Sequence, residues 1–146
     1  MIDHYLFGSS NRESPEAPIP VINFEEEKFV PGGAGNVAMN LKSFGANISC
    51  VGYIGDDYWG EILLNILKEN GINTKFIEKK NKYTTICKQR IYSGSIQQSR
   101  LDFEFLMSDW TPSKEIDYEN FDLIVLSDYN KGIFNKDWFN VKNIPV

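Results

Sequence analysis

Between Gly33 and Gly71 the apolar residues change period twice, and this alternation narrows the fold more than any other feature of the chain. Ala34, Val37, Ala38, Leu41 and Phe44 recur at helical spacing, and Gly45 follows as a C-terminal stop. Ile48 to Ile54 then reads as a buried strand. Trp59, Ile62, Leu63, Ile66 and Leu67 return to one helical face, which Gly71 ends. Gly55-Asp56-Asp57 stands where a cap is needed, because a carboxylate accepts the free N–H groups of a first helical turn. Further on, Phe121 to Ser127 is a continuous apolar run, the pattern of a strand covered on both faces. Helices that alternate with buried strands predict an α/β layer.

A second set of segments has a different character. Residues 8–18 are rich in turn formers and read as a loop. Ile19 to Phe24 reads as a short edge strand beside Pro18 and Pro20. Lys88 to Tyr92 and Ser99 to Phe105 read as two strands joined around Ser93-Gly94-Ser95. Leu101, Phe103 and Phe105 alternate with Arg100, Asp102 and Glu104, the period of a half-buried strand. These segments predict a small separate β-sheet beside the α/β layer.

Composition bounds the function. A length of 146 residues is about one domain, and 42% apolar with 24% charged residues is ordinary for a soluble globular chain. A net charge of −5 with scattered Lys and Arg argues against nonspecific nucleic-acid binding. No apolar run approaches the ~20 residues that span a bilayer, and no basic-then-apolar leader opens the chain. No membrane partner is expected, and the cytoplasm is the expected location. Cys50, Cys87 and His4 are too few for a structural zinc site, and the two thiols are expected to be buried and reduced.

Pro31-Gly32-Gly33-Ala34-Gly35-Asn36 carries the chemistry. The glycines let backbone approach a ligand, and the helix that starts there offers free N–H groups and a positive dipole end. Asn36 adds an amide that can both donate to and accept from sugar hydroxyls. On glycine content alone, a tight turn before a helix accounts for the segment equally well. The spacing adds more: two glycines, an Asn three residues after the second, a small residue two later, then Gly45 and Gly55. This pattern resembles the N-terminal signature of the PfkB carbohydrate kinases, and Gly52-Tyr53-Ile54-Gly55-Asp56-Asp57-Tyr58-Trp59-Gly60 is similar to their next landmark. Asp56 and Asp57 read as helix caps there. Met1-Ile2-Asp3-His4-Tyr5 with Gly8, Ser14 to Val21, Ser99 to Glu104, and Leu126-Ser127-Asp128-Tyr129-Asn130-Lys131-Gly132 resemble the heptose 7-phosphate kinases of that family. Together these segments cover most of residues 1–132.

The resemblance implies an incomplete ribokinase-like layered sheet with a small β-lid, its lid segments near 12–31 and 83–105. It implies a phosphorylated sugar as substrate, with Asp3, Gly33 and Asn36 on the sugar hydroxyls. Arg100, Asp128 and Lys131 are further candidates for the substrate, joined by Lys88 and Arg90 for its phosphate, because Arg forks and Lys ammonium groups suit phosphate oxygens. For each of these basic residues a solvated or ion-paired role competes. For Asp128 a turn or helix cap competes. ATP and Mg²⁺ serve the full-length family, and neither is expected to bind this chain tightly. The family's catalytic Asp and nucleotide segments lie in a later Gly-rich half, and no such motif follows Gly132. No catalytic residue is therefore expected here, and the chain alone is expected to be inactive. A homodimer through the lid is the expected assembly. A kinase for ribose, fructose or a nucleoside, or a non-catalytic sugar-binding or interaction module, remains open.

Overall fold

The computed structural model describes residues 1–105, 110, 112 and 115–134. In chain order these form β1 (Ile2–Ser9), β2 (Asn23–Pro31), α1 (Ala34–Ser43), β3 (Ser49–Gly55), α2 (Tyr58–Glu69), β4 (Asn73–Lys80), β5 (Cys87–Ser93) and β6 (Ile96–Phe103). A short 3-10 turn covers Tyr118–Asn120.

Two sheets result. A four-stranded sheet runs β2-β1-β5-β6, and β3 pairs with β4 in parallel in a second sheet. In the larger sheet β1 is antiparallel to β2 and parallel to β5, and β5 is antiparallel to β6. β3, α2 and β4 make one βαβ unit, since a parallel pair needs a crossover. The helices form where the sequence places them. Asp57 caps α2 by accepting from the Gly60 amide at 2.8 Å. Its other oxygen accepts from the Thr85 amide at 2.6 Å, which ties the helix start to the chain leading into β5. Gly45 and Gly71 take positive φ of 89° and 67° after the two helices, a conformation that glycine adopts without steric cost.

The core joins both sheets to the helices. Ile2 of β1, Ala38 of α1, Ile54 of β3, Leu63, Leu64 and Leu67 of α2, Ile72 and Cys87 are all buried in one cluster. Both cysteines are free thiols, and burial pushes each up to about 11. Neither is a nucleophile near neutral pH. On the same side of the sheet His4, the single histidine, is 5% exposed and stacks on Phe29 at 4.2 Å. The Gln89 amide donates to its Nδ1 at 3.0 Å, so Nε2 carries the proton and donates to Glu27 at 2.8 Å. That chain of bonds crosses β2, β1 and β5 and pins their register.

Three sequence expectations need correction. The strand expected at Ile19 to Phe24 begins at Asn23 and runs to Pro31. Pro18 and Pro20 have no N–H to give a ladder, and only an isolated bridge between Glu13 and Pro20 forms there. The strand expected from Ser99 starts at Ile96 and stops at Phe103. All eight of its residues are exposed, so it is an edge strand and not a half-buried one. The buried strand expected at Phe121 to Ser127 is absent: the segment bonds to no strand among the described residues. Leu123 and Val125 are 57% and 50% exposed there. An apolar run becomes a sheet strand only when neighbouring backbone supplies its hydrogen bonds. The place of β1 between β2 and β5, and the strand β4, were not among the expectations.

Candidate functional site

The Gly-rich turn that opens α1 lies against the start of β1. Gly33 has φ 54° and ψ −128°, a region essentially reserved for glycine. The turn brings Gly32 so close to Asp3 that a Cβ there would stand 2.5 Å from the Asp3 Oδ2. The Gly32 amide donates to the Met1 carbonyl at 3.1 Å and holds this approach. Asn36 lies in the first turn of α1, exposed, with no hydrogen-bond partner for its side-chain amide among the described residues. The structure therefore brings Asp3 against the Gly32-Gly33 turn, and Asn36 follows that turn in sequence. A carboxylate beside an open helix start can accept from sugar hydroxyls, and an amide such as that of Asn36 can both donate to and accept from them.

The larger sheet supplies the surroundings. Strand alternation and the β1/β5 register put Asp3, Tyr5, Phe7, Lys88, Arg90 and Tyr92 on one face. Arg90 donates to Asp3 Oδ1 at 2.5 Å, and its guanidinium lies 5.3 Å from the Tyr5 ring centre. Burial works against that charge first, but the Asp3 hydrogen bond and charge outweigh it, so Arg90 holds its proton more tightly than usual. Phe7 packs on Tyr92 at 5.3 Å between ring centres, extending an aromatic strip away from the turn.

The other predicted residues sit around this centre, mostly engaged. Arg100 faces Arg90 directly across β5 and β6 and pairs with Asp102 at 2.8 Å. Lys88 pairs with Asp102 at 2.9 Å and with Glu104 at 3.1 Å. Those partners raise its affinity for its proton, Asp102 most. Lys131 reaches both Glu104 oxygens at 2.8 Å. The Lys131 and Lys88 ammonium groups hold the Glu104 carboxyl below the usual carboxylate range. Lys131 also lines a cavity of about 110 Å³ with Gly33, Tyr53, Thr85, Ser127 and Tyr129. Asp128 is exposed and accepts from the Asn130 amide at 2.7 Å, closing a turn in which Asn130 has φ 53°.

Sequence reasoning missed three residues here. Glu104 was visible only as one polar position in an alternating strand. Tyr129 lies 3.5 Å from where a Gly33 Cβ would stand, and Thr85 accepts from the Gly55 amide at 2.9 Å. No local pattern distinguishes these two, because tertiary contact alone places them.

Comparison with known proteins gives the family and the fold. The chain is 37% identical over 145 residues to "Bifunctional protein HldE" of Magnetococcus marinus, covering 92% of this chain and 30% of the relative. It is 40% identical over 143 residues to the protein of the same name from Campylobacter fetus, covering 92% of this chain and 31% of the relative. The chain thus spans about 30% of the length of the curated relatives it matches. Among solved structures, a putative ribokinase from Agrobacterium tumefaciens matches with TM-score 0.59 at 20% identity, over 84% of this chain and 40% of that one. Arabidopsis thaliana ribokinase, complexed with ribose and ATP, matches with TM-score 0.55 at 18% identity, over 74% of this chain and 37% of that one. At such identities the likeness shows the fold, and the expected partial ribokinase-like α/β architecture holds. Residues 1–141 match the family described as "pfkB family carbohydrate kinase". The chain belongs to the PfkB family of carbohydrate kinases.

Proposed function

We propose that this chain forms the sugar-side wall and lid of an ATP-dependent heptose 7-phosphate kinase. The observation that carries the reading is the approach of Asp3 to the Gly32-Gly33 turn, from which the exposed Asn36 follows in α1. Asp3 and Asn36 bind the sugar hydroxyls, and the backbone of Gly33 lets the sugar sit against the helix start. The lid comprises residues near 12–31 and 83–105, organised on β1.

In the full-length kinase the donor is ATP with Mg²⁺. Neither group is assigned to the described residues in this reading. Among them no cluster of three or more His, Cys, Asp and Glu could hold a metal ion. No Gly-x-x-x-x-Gly-Lys loop occurs in the sequence. The transfer chemistry is assigned to the part of the relatives that this chain does not span, and the chain alone is expected to release no ADP. Its role is positioning, which phosphoryl transfer requires before any charge is stabilised. The working location is the cytoplasm, where the donor is available. Among the described residues no helix is long and apolar enough to cross a membrane.

A second copy is the proposed assembly partner, docking on the lid. Ile96, Leu101 and Phe105 at the β6 edge are 66%, 46% and 64% exposed, and an uncovered edge strand is prone to pair. Phe103 instead meets Trp59 of α2 at 4.7 Å between ring centres, so one of the three alternating residues belongs to the chain's own packing.

Isothermal titration with heptose 7-phosphate, ribose and adenosine tests the sugar reading. Heat from heptose 7-phosphate alone is the expected result. Preference for ribose or adenosine would move the chain to another sugar kinase. No heat from any of the three would leave a non-catalytic interaction module.

A further inference from the structure

Glu104 stands between two lysines, of which Lys88 also pairs with Asp102. Its Oε1 accepts from Lys88 at 3.1 Å and from Lys131 at 2.8 Å, and its Oε2 accepts again from Lys131 at 2.8 Å. The two cations come from different places. Lys88 is on β5, and Lys131 is on the turn that follows residues 121–127. Glu104 itself lies just past the end of β6. A carboxylate that gathers two ammonium groups from separate elements does what a phosphate would do there.

The position matters as much as the pairing. Lys88 is the register partner of Asp3 on the neighbouring strand, on the same face of the sheet. Adjacent strands lie about 4.8 Å apart. Lys131 lines the small cavity together with Gly33. The two lysines therefore flank the place where Asp3 and Gly33 would hold a sugar. Within this group Lys88, Arg90, Arg100 and Lys131 face Asp3, Asp102 and Glu104. Four cations against three carboxylates leave an excess positive charge on a chain whose net charge is −5.

We propose that Lys88 and Lys131 form the site for the phosphate of a phosphorylated sugar, and that Glu104 is the internal carboxylate that fills it while the sugar is absent. The inference rests on the sugar reading above and adds to it a built-in competitor. Arriving phosphate displaces Glu104 and takes over both ammonium groups. Losing Glu104 from Lys131 also unties the end of β6 from the 128–132 turn, so occupancy of the site is coupled to the lid. A purely structural latch would explain the same ion pairs and makes the opposite prediction about binding.

The test compares wild type, Glu104→Gln and Lys131→Gln by isothermal titration, with folding checked by circular dichroism. The titrants are heptose 7-phosphate, the unphosphorylated heptose and inorganic phosphate. Glu104→Gln is expected to bind heptose 7-phosphate about two- to fivefold more tightly, the size of one partly exposed ion pair. Lys131→Gln is expected to weaken it roughly tenfold or more, since a charge-assisted bond is lost. Affinity for the unphosphorylated heptose should stay the same in all three. If both sugars bind wild type but Glu104→Gln leaves the phosphorylated one unchanged or weaker, the proposal fails and the sugar reading stands. If inorganic phosphate binds as tightly as heptose 7-phosphate, the site is a free-phosphate site and the proposal fails. If neither sugar binds folded wild type, the sugar reading fails and takes this inference with it. Should Glu104→Gln not fold, Glu104→Ser offers the same displacement readout with a smaller side chain.

Discussion

Replacing Gly33 with alanine tests whether the turn at the site is as constrained as its geometry says. The residue has φ 54° and ψ −128°, where an L side chain meets its own backbone. Such a conformation costs about 1–3 kcal/mol. The new methyl would also stand 2.8 Å from Met1 Cε and 3.5 Å from Tyr129 Cδ2. The first contact is to the end of a flexible side chain and can be relieved, and the second is ordinary van der Waals contact. Backbone strain therefore decides the result. For a chain of this size each kcal/mol moves the thermal midpoint by about 2–4 °C, so Gly33→Ala should melt lower by roughly 2–12 °C. Gly45→Ala is the control. Gly45 also has positive φ, at 89°, but nothing lies within 4 Å of its added methyl and it is far along α1 from the site. Both variants should lose stability, and only Gly33→Ala should also lose affinity for heptose 7-phosphate. A Gly33→Ala midpoint within about 1 °C of wild type would refute the strain argument. Equal loss of sugar affinity in both variants would refute the placement of the site.

Asn36→Ala should weaken sugar binding by ~1–3 kcal/mol, the cost of leaving a polar partner unpaired, while barely changing the melting temperature, because the Asn36 side chain is exposed and bonds nothing among the described residues. Equal affinity with a lowered midpoint would make it a purely structural residue. Glu104→Gln should cost about 1 kcal/mol or less near neutral pH, as partly exposed ion pairs do. Since the lysines lower the Glu104 pKa from its ordinary 4.5, its stabilisation is full above that pH and disappears as pH falls through the lowered value. Melting curves of the two proteins should therefore converge in acid, and a constant gap down to strongly acidic pH would contradict the pairing. Leu101→Asp should turn a lid dimer into a folded monomer in sedimentation, with Phe103 left on Trp59. Wild-type protein that is monomeric at micromolar concentration would rule the lid interface out.

The legible part of this protein was what local sequence decides. Helical spacing located α1 and α2, glycines marked their ends, and Asp57 was readable as a cap because the bond it makes lies within its own turn. The Gly32-Gly33 turn and Asn36 were readable because spacing carries them. What escaped depends on partners far along the chain. Residues 1–5 with Gly8 resemble a strand end of the family, but only the sheet shows that Ile2–Ser9 runs between β2 and β5. Phe121 to Ser127 has the composition of an interior strand, yet its backbone finds no ladder among the described residues. Arg90 ranked with three other basic residues by sequence, and only its side-chain bond across β1 and β5 singles it out as the partner of Asp3. Glu104 was hidden for the same reason, since both of its lysines are distant in sequence.

Amide chemical-shift mapping of the isotope-labelled chain during titration with heptose 7-phosphate tests the central claim most directly. The account predicts saturable shifts at Asp3, Gly32 to Asn36, Lys88 to Arg90 and Tyr129 to Lys131, which the fold gathers around one turn. The apolar cavity of about 300 Å³ between α1, β3 and residues 121–126 should stay silent. Shifts centred on Cys50, Val37 and Leu123 in that cavity, or no shifts at all, would contradict a sugar site built on Asp3, Gly33 and Asn36.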